Sequence, residues 1–248
     1  MARPSDEIKS SDLVLCHTGD MGKRQDARDR IESQIVELGR RHLVTEGAAG
    51  LSLRAIARDL GMVSSAVYRY VASRDELLTL LLVDAYSELA DAVDQARDAC
   101  TAEQSWRVRL YAMAQAARRW AVDHPEGWAL LYGSPVPGYR APAERTVGPG
   151  TRVVGALFGA VAEGIAAGEV SQTEVAVAQP LSSDFEKVRQ EFGFSGDDSA
   201  VAKCFLLWAG LIGAISLEVF GQYGPDTLTD PADAFDLQAN LLIEVLTR

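Results

Sequence analysis

Histidine and cysteine are scarce, with three of each in 248 residues. Cys16, Cys100 and Cys204 lie far apart, with no C-x-x-C or Cys/His ligand spacing. Three thiols cannot all pair within one chain, so neither a disulfide framework nor a metal site is expected. Small buried thiols are the plain reading, and a redox-sensing cysteine is the alternative. His17, His42 and His124 are scattered, and His42 reads as structural. No nucleophile elbow, P-loop, dinucleotide glycine fingerprint after a strand or H-E-x-x-H occurs, so catalytic residues and cofactors are not expected. No uninterrupted apolar run is long enough to span a bilayer, and no charged-then-apolar leader opens the chain. A cytoplasmic protein with no membrane partner is predicted.

What is present suits an ordinary globular chain. Hydrophobic residues at 48% and charged residues at 24% place it away from disordered and fibrous sequences. Its length predicts one large or two modest domains. The net charge of −11 is unevenly spread: residues 1–80 hold 12 Lys+Arg and 12 Asp+Glu, leaving 12 and 23 of the totals for residues 81–248. The acid therefore lies in the C-terminal part, and the N-terminal part is neutral.

Residues 51–78, LSLRAIARDLGMVSSAVYRYVASRDELL, read as a helix-turn-helix. Ile56 and Leu60 at i, i+4 give a first short helix its buried stripe, with Ser52 as N-cap. Gly61 supplies a positive φ at the exit. Val67, Tyr70 and Val71 repeat the helical spacing, while Ser64, Ser65, Ala66 and Arg69 fall elsewhere with mostly small side chains that allow close approach to base edges. Ser73 and Glu76 have capping-box spacing at the head of a longer helix.

These residues resemble the tetracycline-repressor (TetR/AcrR-like) family of bacterial transcription regulators. The resemblance covers about residues 28–82, on Ser52-Leu53, Ile56-Ala57, Leu60-Gly61, Val67-Tyr68-Arg69-Tyr70, and Ser73-Arg74 followed by Leu77. Val63 departs from it, standing where the family usually has a capping Ser, and Ser64 is expected to take over that cap. Val71 and Ala48 stand where aromatics are common. The resemblance implies a dimer that holds two recognition helices one DNA turn apart over a pseudo-palindromic operator. Tyr68 and Tyr70 occupy positions where the phenol commonly meets phosphate. Ser52, Arg54 and Arg74 are placed to add contacts near helix N-termini, and Tyr70 has burial as its alternative.

The expected architecture is all-α: an N-terminal three-helix helix-turn-helix DNA-binding domain over 23–72, plus a C-terminal helical ligand-binding and dimerisation domain over 73–248. Residues 1–22 lack periodicity and read as a mobile arm, with Met21 as an alternative translation start. A helix is predicted over 28–46, stopped by Gly47. Further helices fall at 75–99, 105–123, 126–132, 151–167, within 175–192, at 200–220 and at 233–246. A Pro/Gly-rich loop, read as a pocket rim or lid, is predicted from 133 to 150. The aromatics Tyr86, Trp106, Trp120, Trp128, Tyr132, Phe158 and Trp208, with Met113 and Leu131, are candidate walls of an apolar effector pocket. Phe205, Ala209, Ile212, Gly213, Leu217 and Phe220 are the candidate dimer face, with burial inside one subunit as the alternative. The partners expected are a double-stranded DNA operator, a small-molecule effector of unknown identity and a second copy of the chain. Repression is the commoner behaviour among such proteins, and a constitutive architectural DNA-binding protein without effector is the competing reading.

Overall fold

The computed structural model of the chain describes residues 15–172 and 176–247, with side chains from residue 25 onward. Ten helices and no strand occur among the described residues: α1 Leu15–Gly50, α2 Leu53–Asp59, α3 Ser64–Val67, α4 Arg74–Asp98, α5 Trp106–Asp123, α6 Pro125–Tyr132, α7 Ala143–Ala166, α8 Leu181–Phe192, α9 Asp198–Val219 and α10 Pro231–Val245. Two compact units divide between Leu78 and Thr79, within α4.

In the first unit α1 leaves helical geometry at Gly47, whose φ of 66° and ψ of 173° end the regular turns at Glu46. Its start differs from expectation. The helix reaches back to Leu15 rather than beginning at Arg28, so part of the expected arm is helical; the rest, residues 1–14, lies outside the described residues. No breaker interrupts 23–30, and i, i+4 bonds from Gln25 to Asp29 (2.7 Å) and Arg28 to Glu32 (2.8 Å) support turns that bury little. Ile35, Leu38 and Leu43 of α1 are buried, as are Leu53, Ile56 and Ala57 of α2, Val67 of α3, and Val71. His42 is structural as expected, its Nε2 lying 2.7 Å from Asp59 Oδ2.

The second unit has one core, to which α4, α5, α7, α9 and α10 all contribute. Its helices pair closely as α5 with α7, α9 and α10, and α9 with α6, α7, α8 and α10. The predicted loop to Gly150 is corrected: α7 begins at Ala143 and runs through Pro149. Proline deletes one helical hydrogen bond. Packing outweighs that loss, since Thr146 is buried with Oγ1 donating to Pro142 O at 3.0 Å. A Cβ at Gly150 would also stand 3.4 Å from the Tyr86 ring. Thr79 and the Tyr139 hydroxyl, 2.9 Å apart, tie the remaining loop to α4. Three arginines pin the layers: Arg152 to Asp91 and Asp94 (2.7 Å each), Arg109 to Glu163 (2.9 Å), and Arg118 to Glu218 (2.5 Å).

Candidate nucleic-acid interface and interior cavity

The head positions its exposed residues through local rules. Ser52 caps α2, its Oγ accepting from the Ala55 amide at 3.4 Å. Gly61 turns the chain at φ 65°. The α3 helix then begins at Ser64 with Val63 as N-cap, and no side chain takes the cap bond. The expected shift of the cap to Ser64 is therefore corrected: Ser64 is already the first helical residue, because Val63 holds the extended backbone (φ −69°, ψ 140°) a cap requires. Helical turns continue past Val67 through Tyr68 N to Ser64 O (3.2 Å) and Val71 N to Val67 O (3.0 Å).

Val67 and Val71 are fully buried, and this anchoring turns Ser65, Tyr68 and Arg69 outward, with Ser64 and Ala66 half-buried. Arg54 is exposed on the first turn of α2. Two predicted contacts have structural work as well. Arg74 donates to the carbonyls of Ala48 (2.8 Å) and Ala49 (3.3 Å), neutralising the acceptor-rich end of α1. Tyr70 is half-buried beneath the Arg28 guanidinium, which lies 5.7 Å from its ring centroid. Arg28, missed as a partner of the recognition segment, also reaches the Arg69 carbonyl at 3.5 Å. An exposed surface of hydroxyls, phenol and guanidinium groups around a short helix can read base edges and grip phosphates.

The second unit contains a partly open apolar cavity of about 30 Å³. Met113 and Trp208 line it, and so do Leu110, Ala114 and Ala117 of α5, Leu211, Ile212 and Ile215 of α9, Val153 and Leu157 of α7, and Val93 of α4. The other predicted pocket residues are not on its wall. Tyr132 packs edge-on to Trp208 (6.1 Å between centroids) and against Trp128 (4.4 Å). Trp128 is fully buried, its indole N–H donating to Ser216 Oγ at 3.1 Å, and Leu131 is half-buried on the same core. Burial pushes the Tyr86 and Tyr132 phenols upward from their ordinary value. Trp120 stacks on His124 at 5.2 Å. Phe158 belongs to a separate aromatic cluster with Phe192, Phe194 and Phe205. The aliphatic and alanine walls were missed because they carry the same 3.6-residue periodicity as any core face.

The predicted dimer stripe divides by direction. Phe205, Ala209, Leu217 and Phe220 are exposed along α9 and Gly213 is half-exposed, with nothing within 4 Å of where its Cβ would lie. Ile212 instead turns into the cavity. Leu206 of α9 and Leu237 and Leu241 of α10 extend the outward apolar surface. The α10 pair was missed although its i, i+4 spacing was visible. Small residues on the inner side serve the fold: at Gly210 a Cβ would come within 2.6 Å of the Leu242 side chain.

An all-helical chain with an N-terminal helix-turn-helix ahead of a separate helical body defines a two-unit DNA-binding transcription regulator. Comparisons agree. A family model described as tetracyclin repressor-like, C-terminal domain, matches residues 110–242. The chain is similar to HTH-type transcriptional regulator Rv1816 of Mycobacterium tuberculosis, 68% identical over 232 residues, which cover 94% of this chain and 99% of the relative. It is also similar to the crystal structure of regulatory protein SCO4313, at 30% identity and a TM-score of 0.71 over 89% and 98% of the two chains. A TetR-family regulator from Shewanella sp. PV-4, 16% identical with a TM-score of 0.58 over 88% and 98%, shares the fold. The chain belongs to the tetracycline-repressor (TetR) family of transcription regulators.

Proposed function

We propose that the protein is a cytoplasmic repressor that binds a pseudo-palindromic operator as a homodimer and is released by a small, largely apolar effector. The observation that carries the DNA reading is the outward set Arg54, Ser65, Tyr68 and Arg69, held around a recognition helix whose Val67 and Val71 are fully buried. Ser64 and Ala66 would approach base edges, while Ser52, Tyr70 and Arg74 would meet phosphate from positions they also hold for structural reasons. The head adds no net negative charge, so the acidic body weakens nonspecific binding without abolishing a specific site.

Dimerisation is supported by the apolar row Phe205, Ala209, Gly213, Leu217 and Phe220, flanked by Leu237 and Leu241. That row also accounts for α9 being long and apolar enough to cross a membrane while its other side buries Val201, Cys204, Leu207 and Leu211. Two heads about 34–36 Å apart would read half-sites one helical turn apart. An effector acts by favouring the spacing of heads that does not fit DNA, each tenfold loss of affinity requiring about 1.4 kcal/mol of differential binding.

The test is fluorescence anisotropy with DNA from upstream of the protein's own gene against a scrambled duplex, across a salt series. A preference of about 10³ or more that falls with salt and weakens in Arg54→Ala is expected. Equal binding to both duplexes would favour the architectural alternative.

A further inference from the structure

The recognition segment of the head is fastened from behind by a residue of another helix. Helical turns run on past Val67 to Val71 and stop there. The carbonyl of Arg69 lies in this last turn, and no backbone amide among the described residues donates to it. Carbonyls at a helix end carry its partial negative charge and need a donor from elsewhere. Here the donor is Arg28 of α1, whose Nη2 stands 3.5 Å away, at the long limit of a hydrogen bond. The same guanidinium lies over the Tyr70 ring, 5.7 Å from its centroid, and its Nε donates to Glu32 Oε1 at 2.8 Å. Glu32 is one turn further along α1, so the arginine is set by its own helix as well as by the segment it meets.

The outer ends of the two gripped residues are free. The Arg69 side chain and the Tyr70 hydroxyl have no hydrogen-bond or ion-pair partner among the described residues. Arg58 and Arg74, nearby in the same stretch of chain, are engaged instead, by Asp59 at 3.9 Å and by the Ala48 and Ala49 carbonyls. Val67 and Val71 are fully buried. At about 100° per residue, Ser65 and Arg69 project from the opposite side of the helix. Arg28 therefore holds the backbone that carries the long side chain aimed farthest from the core.

We infer that Arg28 is a positioning residue for operator recognition. It touches neither base nor phosphate. Through Glu32, the Arg69 carbonyl and the Tyr70 ring, it fixes the direction in which the Arg69 guanidinium and the Tyr70 phenol meet DNA. This role rests on the DNA reading proposed above. Order present before DNA arrives removes a cost that binding would otherwise bear. The residue type follows: a planar guanidinium meets a carboxylate, a carbonyl and a ring face at once, whereas an ammonium is a point charge.

The test uses the full-length protein and two duplexes, the sequence that wild type enriches from a random pool and a scrambled copy of it. Anisotropy across a salt series gives the ratio of affinities and the number of phosphates neutralised. Arg28→Ala is expected to lower the ratio by about fivefold with the salt slope unchanged. Arg28→Lys, which keeps the charge, is expected to recover less than half of that loss. Glu32→Ala should lower the ratio about twofold and add nothing in the Arg28→Ala background. In the protein without DNA, Arg28→Ala should speed hydrogen exchange at the Tyr70 and Val71 amides about fivefold and leave the Ile56 amide unchanged.

A salt slope that falls by about one in Arg28→Ala makes this residue a phosphate contact and overturns the inference. Full recovery by Arg28→Lys overturns it, since any charge would then serve, and so do additive losses in the double variant. Unchanged exchange at Tyr70 and Val71 overturns it because the segment then holds its own order. Faster exchange at Ile56 as well means that the whole head loosens, which is equally fatal. Failure of wild type to enrich any duplex removes the DNA reading and the recognition role together, and faster exchange in Arg28→Ala would then leave Arg28 a structural contact alone.

Discussion

The two units do their work with opposite chemistry. The head exposes its candidate contacts, with Tyr68 45% accessible, and fixes each by residues within a turn or two along the chain. The body hides its candidate contacts behind helices and fixes them by residues tens of positions away, as when the Trp128 indole donates to Ser216. The difference teaches that a surface which reads a polymer can be written locally, whereas an interior that admits a small molecule is a property of how several helices meet. Changes in the body should therefore act through assembly and packing, and changes in the head through local order.

The largest effect is expected at the outer face of the body. Leu217→Arg places a charge where the proposed interface would desolvate it, while leaving the 37% exposed site in the single chain undisturbed. Sedimentation should show the dimer weakened by about 100-fold or more, with operator affinity falling alongside. A variant that sediments as wild type would return the α9 row to an ordinary exposed surface and break the symmetry argument.

Next comes the clamp between α5 and α9. Arg118 and Glu218 are each 13% exposed, and Arg118 also lies over Phe235 at 5.8 Å. Glu218 is the main cause holding the Arg118 guanidinium above its ordinary value. Arg118→Leu leaves a nearly buried carboxylate without its partner and should cost about 2–3 kcal/mol in urea unfolding. Arg152→Leu, whose carboxylate partners are better hydrated, should stay within about 0.5 kcal/mol. Equal losses would mean that the cost tracks lost packing of the arginine stem rather than burial of the pair.

Alkaline pH probes the same interior. Burial pushes the Cys204 thiol from 9.0 up to about 12. Below pH 9 the thiol is protonated in folded and unfolded chains alike, and its full contribution to stability is present. Between pH 9 and 12 only the unfolded chain releases the proton, so stability falls with rising pH by about 1 kcal/mol per unit. Unfolding measured from pH 8 to 10, below the range in which the raised Tyr86 and Tyr132 phenols add a slope of the same sign, should show this slope in wild type and lose it in Cys204→Ala, whatever the constant offset from the cavity that alanine leaves.

How much was readable follows the same division. Ser52, Gly61, Ser73 and the Val67–Val71 pair are legible because a cap or a turn is decided by one residue and its neighbours within four positions. Ser73 Oγ indeed accepts from the Glu76 amide at 3.1 Å. The second duties of Arg74 and Tyr70 were not legible, since their partners are Ala48 and Arg28, far back on α1. The helix through Pro149 was hidden because composition there argues for a loop, and packing decided otherwise. On α9 the small residues Ala209, Gly210, Gly213 and Ala214 were visible as a set. Composition alone could not show that Gly210 meets Leu242 while Gly213 faces open space. The cavity needed four helices in place before it existed.

The smallest expected effect lies in the head and turns on its departure from the family pattern. Val63 is 72% exposed at the α3 N-cap, and although its carbonyl accepts from the Ala66 amide at 2.9 Å, its side chain offers no acceptor to the first amides of the recognition helix. Its backbone is already extended, so Val63→Ser needs no rearrangement to supply one. The added bond should stabilise the segment by about 1 kcal/mol, seen as roughly fivefold slower hydrogen exchange at the Ser65 and Ala66 amides. Body amides should exchange unchanged. If local order is what the head contributes to recognition, operator affinity rises by no more than that factor. If affinity instead falls while exchange slows, the uncapped start of α3 is used in fitting the groove, and valine stands there because a looser helix binds better.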